Sequence, residues 1–135
     1  MSVYVDTSGF YAYLCRDDQH HDAVAAVMQQ LALRRTRLIT TSYAVSPTMG
    51  LLQRRMGMRV VRQFMESVIP VVEICWVGPE EHEAAWNLMQ RKPKRALTVV
   101  DAAGMVIMHR DGIKRCVALD HEFGREGFEM MPIVN

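Results

Sequence analysis

A chain of 135 residues, half of them hydrophobic and 23% charged, with a formal net charge of only +1, can bury a core without disulfides or a structural metal. That balance excludes a disordered chain and one that finds polyanions through overall basicity. No apolar run approaches the ~20 residues that span a bilayer, so the expectation is one domain over residues 1–135, with no membrane segment and a cytoplasmic location. Cys15, Cys75 and Cys116 are far apart and lie in apolar sequence, which reads as three buried thiols. With no Cys-x-x-Cys pair and with scattered histidines, a zinc site is not expected.

Ser2 to Val5 alternates like a short strand and runs out at Asp6-Thr7-Ser8, three N-cap residues for a helix through Phe10, Tyr11 and Leu14. Val24, Val27, Met28 and Leu31 form one apolar stripe and predict a helix from about His20 to Arg34. Leu38 to Thr41 reads as a second strand. The helix after it contains Met49, Leu51 and Leu52, and Ser46-Pro47 reads as its effective start, because proline leaves no N–H unpaired at the first helical position. Gly57 is its stop. Val61, Phe64, Met65 and Val68 give another helix closed by Pro70, and Val71 to Val77 gives a third strand. Gly78-Pro79-Glu80-Glu81 starts a helix reaching Arg91, Lys92 to Arg95 is a basic turn, and Thr98 to His109 is a helix ended by Gly112. Cys116 to Leu119 is a fourth strand ending at Asp120, and Phe128 to Met131 is a fifth candidate. Strands alternate with helices through connections too long for hairpins, which predicts a parallel α/β sheet.

In open α/β sheets, functional groups gather at the carboxyl ends of the strands. Asp6 and Asp120 each follow a strand, and Asp101 lies in the first turn of a helix. Neighbouring carboxylates repel unless a cation lies between them, and hard oxygen ligands suit magnesium or manganese. Such an ion polarises a phosphate oxygen and supplies hydroxide near neutral pH, the two needs of phosphodiester hydrolysis. Each acid also has an ordinary alternative: Asp6 as a helix cap, Thr98 and Asp101 as a capping box, Asp120 as a turn residue.

Taken together, Val3-Tyr-Val-Asp-Thr-Ser8, Asp17 to Ala23, Leu97-Thr-Val-Val-Asp-Ala102, Ala118 to Phe123 and Gly127-Phe128 to Pro132 resemble the PIN domains, and among them the VapC-type ribonuclease toxins. The resemblance implies a three-layer fold, a central parallel sheet of four to five strands flanked by helices. It implies an endoribonuclease whose aspartates Asp6, Asp101 and Asp120 hold magnesium or manganese, with Thr7 and Thr98 supporting them. It also implies an RNA substrate, a cognate antitoxin and a homodimer. One family residue is missing: the helix after the second strand normally carries a glutamate where this chain has Pro47. Either a single metal is held by the remaining acids, or another acid such as Glu122 substitutes, or the domain is a catalytically degenerate module that binds RNA or a protein. Glu122, two residues past Asp120, is expected to point away.

Arg54, Arg55, Arg59 and Arg62 surround one helix junction, and Arg91, Lys92, Lys94 and Arg95 mark another. Both are candidate contacts for a phosphate backbone, and both are equally readable as solvated helix ends. Aromatic residues are not interleaved with them, so the sequence gives no stacking platform. A phosphohydrolase with Asp6 as nucleophile would want a second acid two residues on, where this chain has Ser8.

Overall fold

The β-branched residues of Ser2–Val5 form β1, the central strand of the sheet in the computed structural model, which describes residues 1–93 and 97–133. The other strands are β2 (Arg37–Thr41), β3 (Val72–Cys75), β4 (Arg115–Val117) and β5 (Glu129–Met131). Their order is β3-β2-β1-β4-β5 and every pairing is parallel, with Tyr4 opposite Ile39 on one side and Cys116 on the other.

The period of two along β1 sorts its side chains between two cores. Val3 and Val5 face the first, beneath α1 (Thr7–Leu14), α2 (His21–Leu33), α3 (Ser42–Met56) and α4 (Met58–Gln63). Tyr4 faces the second, beneath α5 (Pro79–Arg91), α6 (Val99–Asp111) and α7 (Glu122–Arg125). The expected three layers and parallel sheet are therefore present, with five strands. Among the described residues, no helix is long and apolar enough to cross a membrane.

Several local expectations are corrected. α3 does not begin at Pro47 but at Ser42, because the Thr41 hydroxyl accepts the Ala44 N–H and caps the helix there. Pro47 lies inside the helix, where its missing N–H leaves out one ladder bond. The helix expected around Val61 to Val68 starts directly after Gly57, passes into one π turn at Phe64–Val68, and ends in a 3₁₀ turn holding Pro70. The third strand stops at Cys75, short of Val77. Cys116 is buried, but Cys15 and Cys75 are only half-buried. Gly57 and Gly112 end their helices as expected, both at positive φ.

Candidate active site

β1 and β4 run side by side and deliver Asp6 and Asp120 to one edge of the sheet. Crossing back into β4 from that same edge, α6 brings Asp101 in its first turn. Asp6 is 3% exposed and Asp101 6%. Burial raises the Asp6 carboxyl above the usual carboxylate range, and the Asp120 charge adds to the rise. Burial pushes Asp101 up to about 6, helped by the charges of Asp6 and Asp120. Asp6 and Asp101 are thus both raised by burial and by neighbouring acid charge, the arrangement that perturbs pKa values at functional sites.

Each acid also performs local work. Asp6 caps α1, its Oδ2 accepting from the Ser8 N–H at 3.4 Å and the Ser8 hydroxyl at 2.9 Å. Asp101 and Thr98 make a reciprocal capping box, Thr98 N–H to Asp101 Oδ2 at 3.3 Å and Asp101 N–H to Thr98 Oγ1 at 3.1 Å. Asp120 Oδ1 accepts the Glu122 N–H at 2.9 Å and closes a turn. These bonds leave one group unexplained: Asp6 Oδ1 is buried with no hydrogen-bond partner. A buried carboxylate oxygen without a donor carries an uncompensated desolvation penalty of several kcal/mol. A cation is one group that could supply the missing partner.

Ser8 is the residue that sequence reasoning missed. Its hydroxyl donates to Asp6 and accepts the Leu119 N–H at 3.0 Å, so one side chain ties Asp6 to the chain entering Asp120. Asp6 N–H to Val117 O at 3.0 Å reinforces the join. Gly9 permits it, since a Cβ there would lie 2.5 Å from the Val117 carbonyl oxygen. Thr98 orients Asp101, whereas the Thr7 hydroxyl turns to the Ala44 carbonyl at 3.1 Å and holds α1 against α3.

Glu122 is buried, with Oε1 accepting from Arg125 Nη1 at 2.6 Å. Among the described residues, no three acids, histidines or cysteines form a ready-made metal nest.

The basic residues lie elsewhere. α3 and α5 start at the edge that carries the acids and run away from it, so Arg54, Arg55 and Arg91 stand a helix length, about 20 Å, from that edge. The Arg55 guanidinium lies 5.4 Å over the Tyr11 ring, beside a groove of about 950 Å³ that Arg16 and Arg59 also line. Lys92 pairs with Glu126 at 3.6 Å. Lys94 and Arg95 fall outside the described residues.

A helix-flanked five-strand parallel sheet with acids gathered at one edge is the arrangement that the resemblance to VapC-type PIN domains implies, and the comparisons with known proteins point the same way. No family model matches the chain. The 23S rRNA-specific endonuclease VapC20 of Mycobacterium tuberculosis is 28% identical over 127 residues, covering 93% of this chain and 95% of that protein. Its crystal structure, described as a sarcin-ricin loop cleaving toxin, superposes with a TM-score of 0.82 at 26% identity, covering 93% and 95% of the two chains. FitAcB of Neisseria gonorrhoeae shares the fold at a TM-score of 0.73 and 11% identity, covering 97% of this chain and 96% of that one. So does VapBC2 of Rickettsia felis, solved on a DNA fragment from its promoter, at 0.71 and 10%, covering 96% and 97%.

Proposed function

We propose that this protein is an endoribonuclease toxin that hydrolyses RNA phosphodiester bonds, with Asp6, Asp101 and Asp120 holding a magnesium or manganese ion. The observation that carries the reading is the partnerless buried oxygen of Asp6, beside an Asp101 whose carboxyl is raised by burial and by the charges of Asp6 and Asp120. The donor set is all oxygen, which suits a hard divalent cation. When bound, such an ion lowers the pKa of a coordinated water and polarises a phosphate oxygen. The chain's own contribution is placement. Ser8 keeps Asp6 in one rotamer, Thr98 aims Asp101, and the turn at Glu122 fixes Asp120. Arg54, Arg55, Arg91 and Lys92 contact the RNA backbone away from the cleavage point, and Lys94 and Arg95 are further basic candidates for the same backbone. The activity of VapC20 supports the substrate class. A cognate antitoxin restrains the enzyme, which works in the cytoplasm as a homodimer.

A second reading follows from Pro47, which places no acid on α3: a degenerate domain that binds RNA or protein without cutting. Incubation of purified, antitoxin-free protein with an RNA panel separates the two. The panel includes the sarcin–ricin hairpin and is run with magnesium, manganese or chelator, beside Asp101→Asn. Cleavage that needs both metal and Asp101 supports the nuclease. Inert protein under every metal condition overturns it in favour of the binding module.

A further inference from the structure

Asp6, still extended, follows β1 directly and lies two residues past Tyr4, so alternation puts the two on one face, and Asp101 and Gly104 lie one turn apart on α6, both buried. The strand and the helix therefore meet at two successive levels, acid to acid above and ring to glycine below. At the lower level the ring leaves no room for a side chain on the helix. A Cβ on Gly104 would stand 2.5 Å from the Tyr4 hydroxyl oxygen, 2.7 Å from Cζ and 2.9 Å from Cε1.

The ring has nowhere to go. It is fully buried, stacked on Phe123 at 6.1 Å between centroids, with its hydroxyl 3.5 Å from Thr41 Oγ1 and Cys116 opposite it on β4. A rigid aromatic wedge clamped between β2, β4 and α7 cannot yield to a new methyl group, so α6 has to move. Opening a 2.5 Å approach to an ordinary contact takes on the order of 1 Å. Hard divalent cations accept oxygen ligands only near 2.0–2.1 Å for magnesium, roughly a tenth of an ångström of tolerance at best.

We propose that Tyr4 acts as a positioning residue, a spacer seated against Gly104 that sets the separation of Asp6 and Asp101. The inference rests on the metal-site reading above. Tyr4 touches no substrate in this account and works only through the distance it imposes. Gly104 is also a poor helix residue that alanine should improve by propensity alone. A loss on Gly104→Ala therefore points to the approach and not to the helix.

The test titrates manganese alone into the full chain by calorimetry and follows the manganese-induced rise in thermal midpoint. The variants are Gly104→Ala, Gly104→Ala combined with Tyr4→Leu, and Asp101→Asn. Gly104→Ala is expected to fold with unchanged helical circular dichroism and to bind manganese about 10–100-fold more weakly, the range seen when support of a metal ligand is lost. Tyr4→Leu in that background removes the hydroxyl and distal ring atoms and restores affinity to within about threefold. Should Gly104→Ala fail to fold, the double variant carries the test, because with the clash gone it must both fold and bind. Wild-type affinity in Gly104→Ala, or a loss that Tyr4→Leu does not repair, overturns the spacer alone. Binding that is absent from the wild type, or indifferent to Asp101→Asn, overturns the metal site and the spacer with it.

Discussion

Asp101→Asn should make the metal-free protein more stable at neutral pH. The folded state raises the Asp101 carboxyl from its ordinary 3.8 to about 6, by burial and by the charges of Asp6 and Asp120. A raised folded-state value means the native protein binds the proton more tightly than the unfolded chain. The favourable linkage is then fully present below about 3.8 and is lost as pH rises through about 6. At face value the displacement corresponds to about 3 kcal/mol, and water at the sheet edge screens it to about 1–2 kcal/mol. Asparagine removes the charge yet keeps an oxygen to accept the Thr98 N–H, so the capping box survives. For a domain of this size the gain is roughly 5 °C in thermal midpoint. The assay is calorimetric melting of both proteins in chelator from pH 4 to pH 8. The difference should be near zero at pH 4, grow through pH 5–6 and level off above it. Saturating manganese should reverse the order, since only the wild type gains from the ion. A variant that is destabilised at pH 7, or a gain independent of pH, would refute the claim that the acids are held at electrostatic cost.

Ser8→Ala should remove the charge-assisted bond to Asp6 and leave the Leu119 N–H unpaired, costing about 2 kcal/mol in chemical denaturation. Ser8→Thr, which keeps the hydroxyl, should recover most of it. Gly9→Ala should be the most damaging single methyl in α1, because its clash is with the backbone oxygen of Val117. A destabilisation of about 1–3 kcal/mol by urea titration is expected, and a neutral result would mean the α1–β4 join is looser than described. Pro47→Ala should stabilise by about 1–3 kcal/mol by restoring a helical N–H. Pro47→Glu should additionally tighten manganese binding, and equal affinities for the two variants would show that position 47 does not face the metal.

Much of the architecture was legible because burial imposes periodicity. The alternation of Ser2 to Val5 and the stripe at Val24, Val27, Met28 and Leu31 arise from one-sided contact with a core, and both elements stand where expected. All three aspartates lie at the acid edge because each follows a strand or opens a helix there. What local pattern missed was decided by contacts distant in sequence. Ser-Pro at 46–47 is a good helix start in isolation, yet Thr41 caps α3 first and the helix runs through the proline. Ser8 looks like one of three interchangeable caps until Leu119, 111 residues later and just past β4, supplies its second bond. Gly104 reads as a weak point in a helix, and only the Tyr4 ring shows why nothing larger fits.

The sheet is open at both sides, and how those sides are finished restricts how this protein meets others. β3 on one side spans Val72–Cys75, follows the turn holding Pro70, and carries Glu73 paired to Arg37. β5 on the other spans Glu129–Met131 and is followed at once by Pro132, which has no N–H to offer. Short, charged and proline-bounded margins are poor templates for an added strand. Recognition by strand addition is thereby disfavoured, which leaves helical surface and the acid edge as the better-suited faces for a partner. The same finish guards a parallel sheet, slow to form and exposed while forming, against sheet-to-sheet aggregation as it folds.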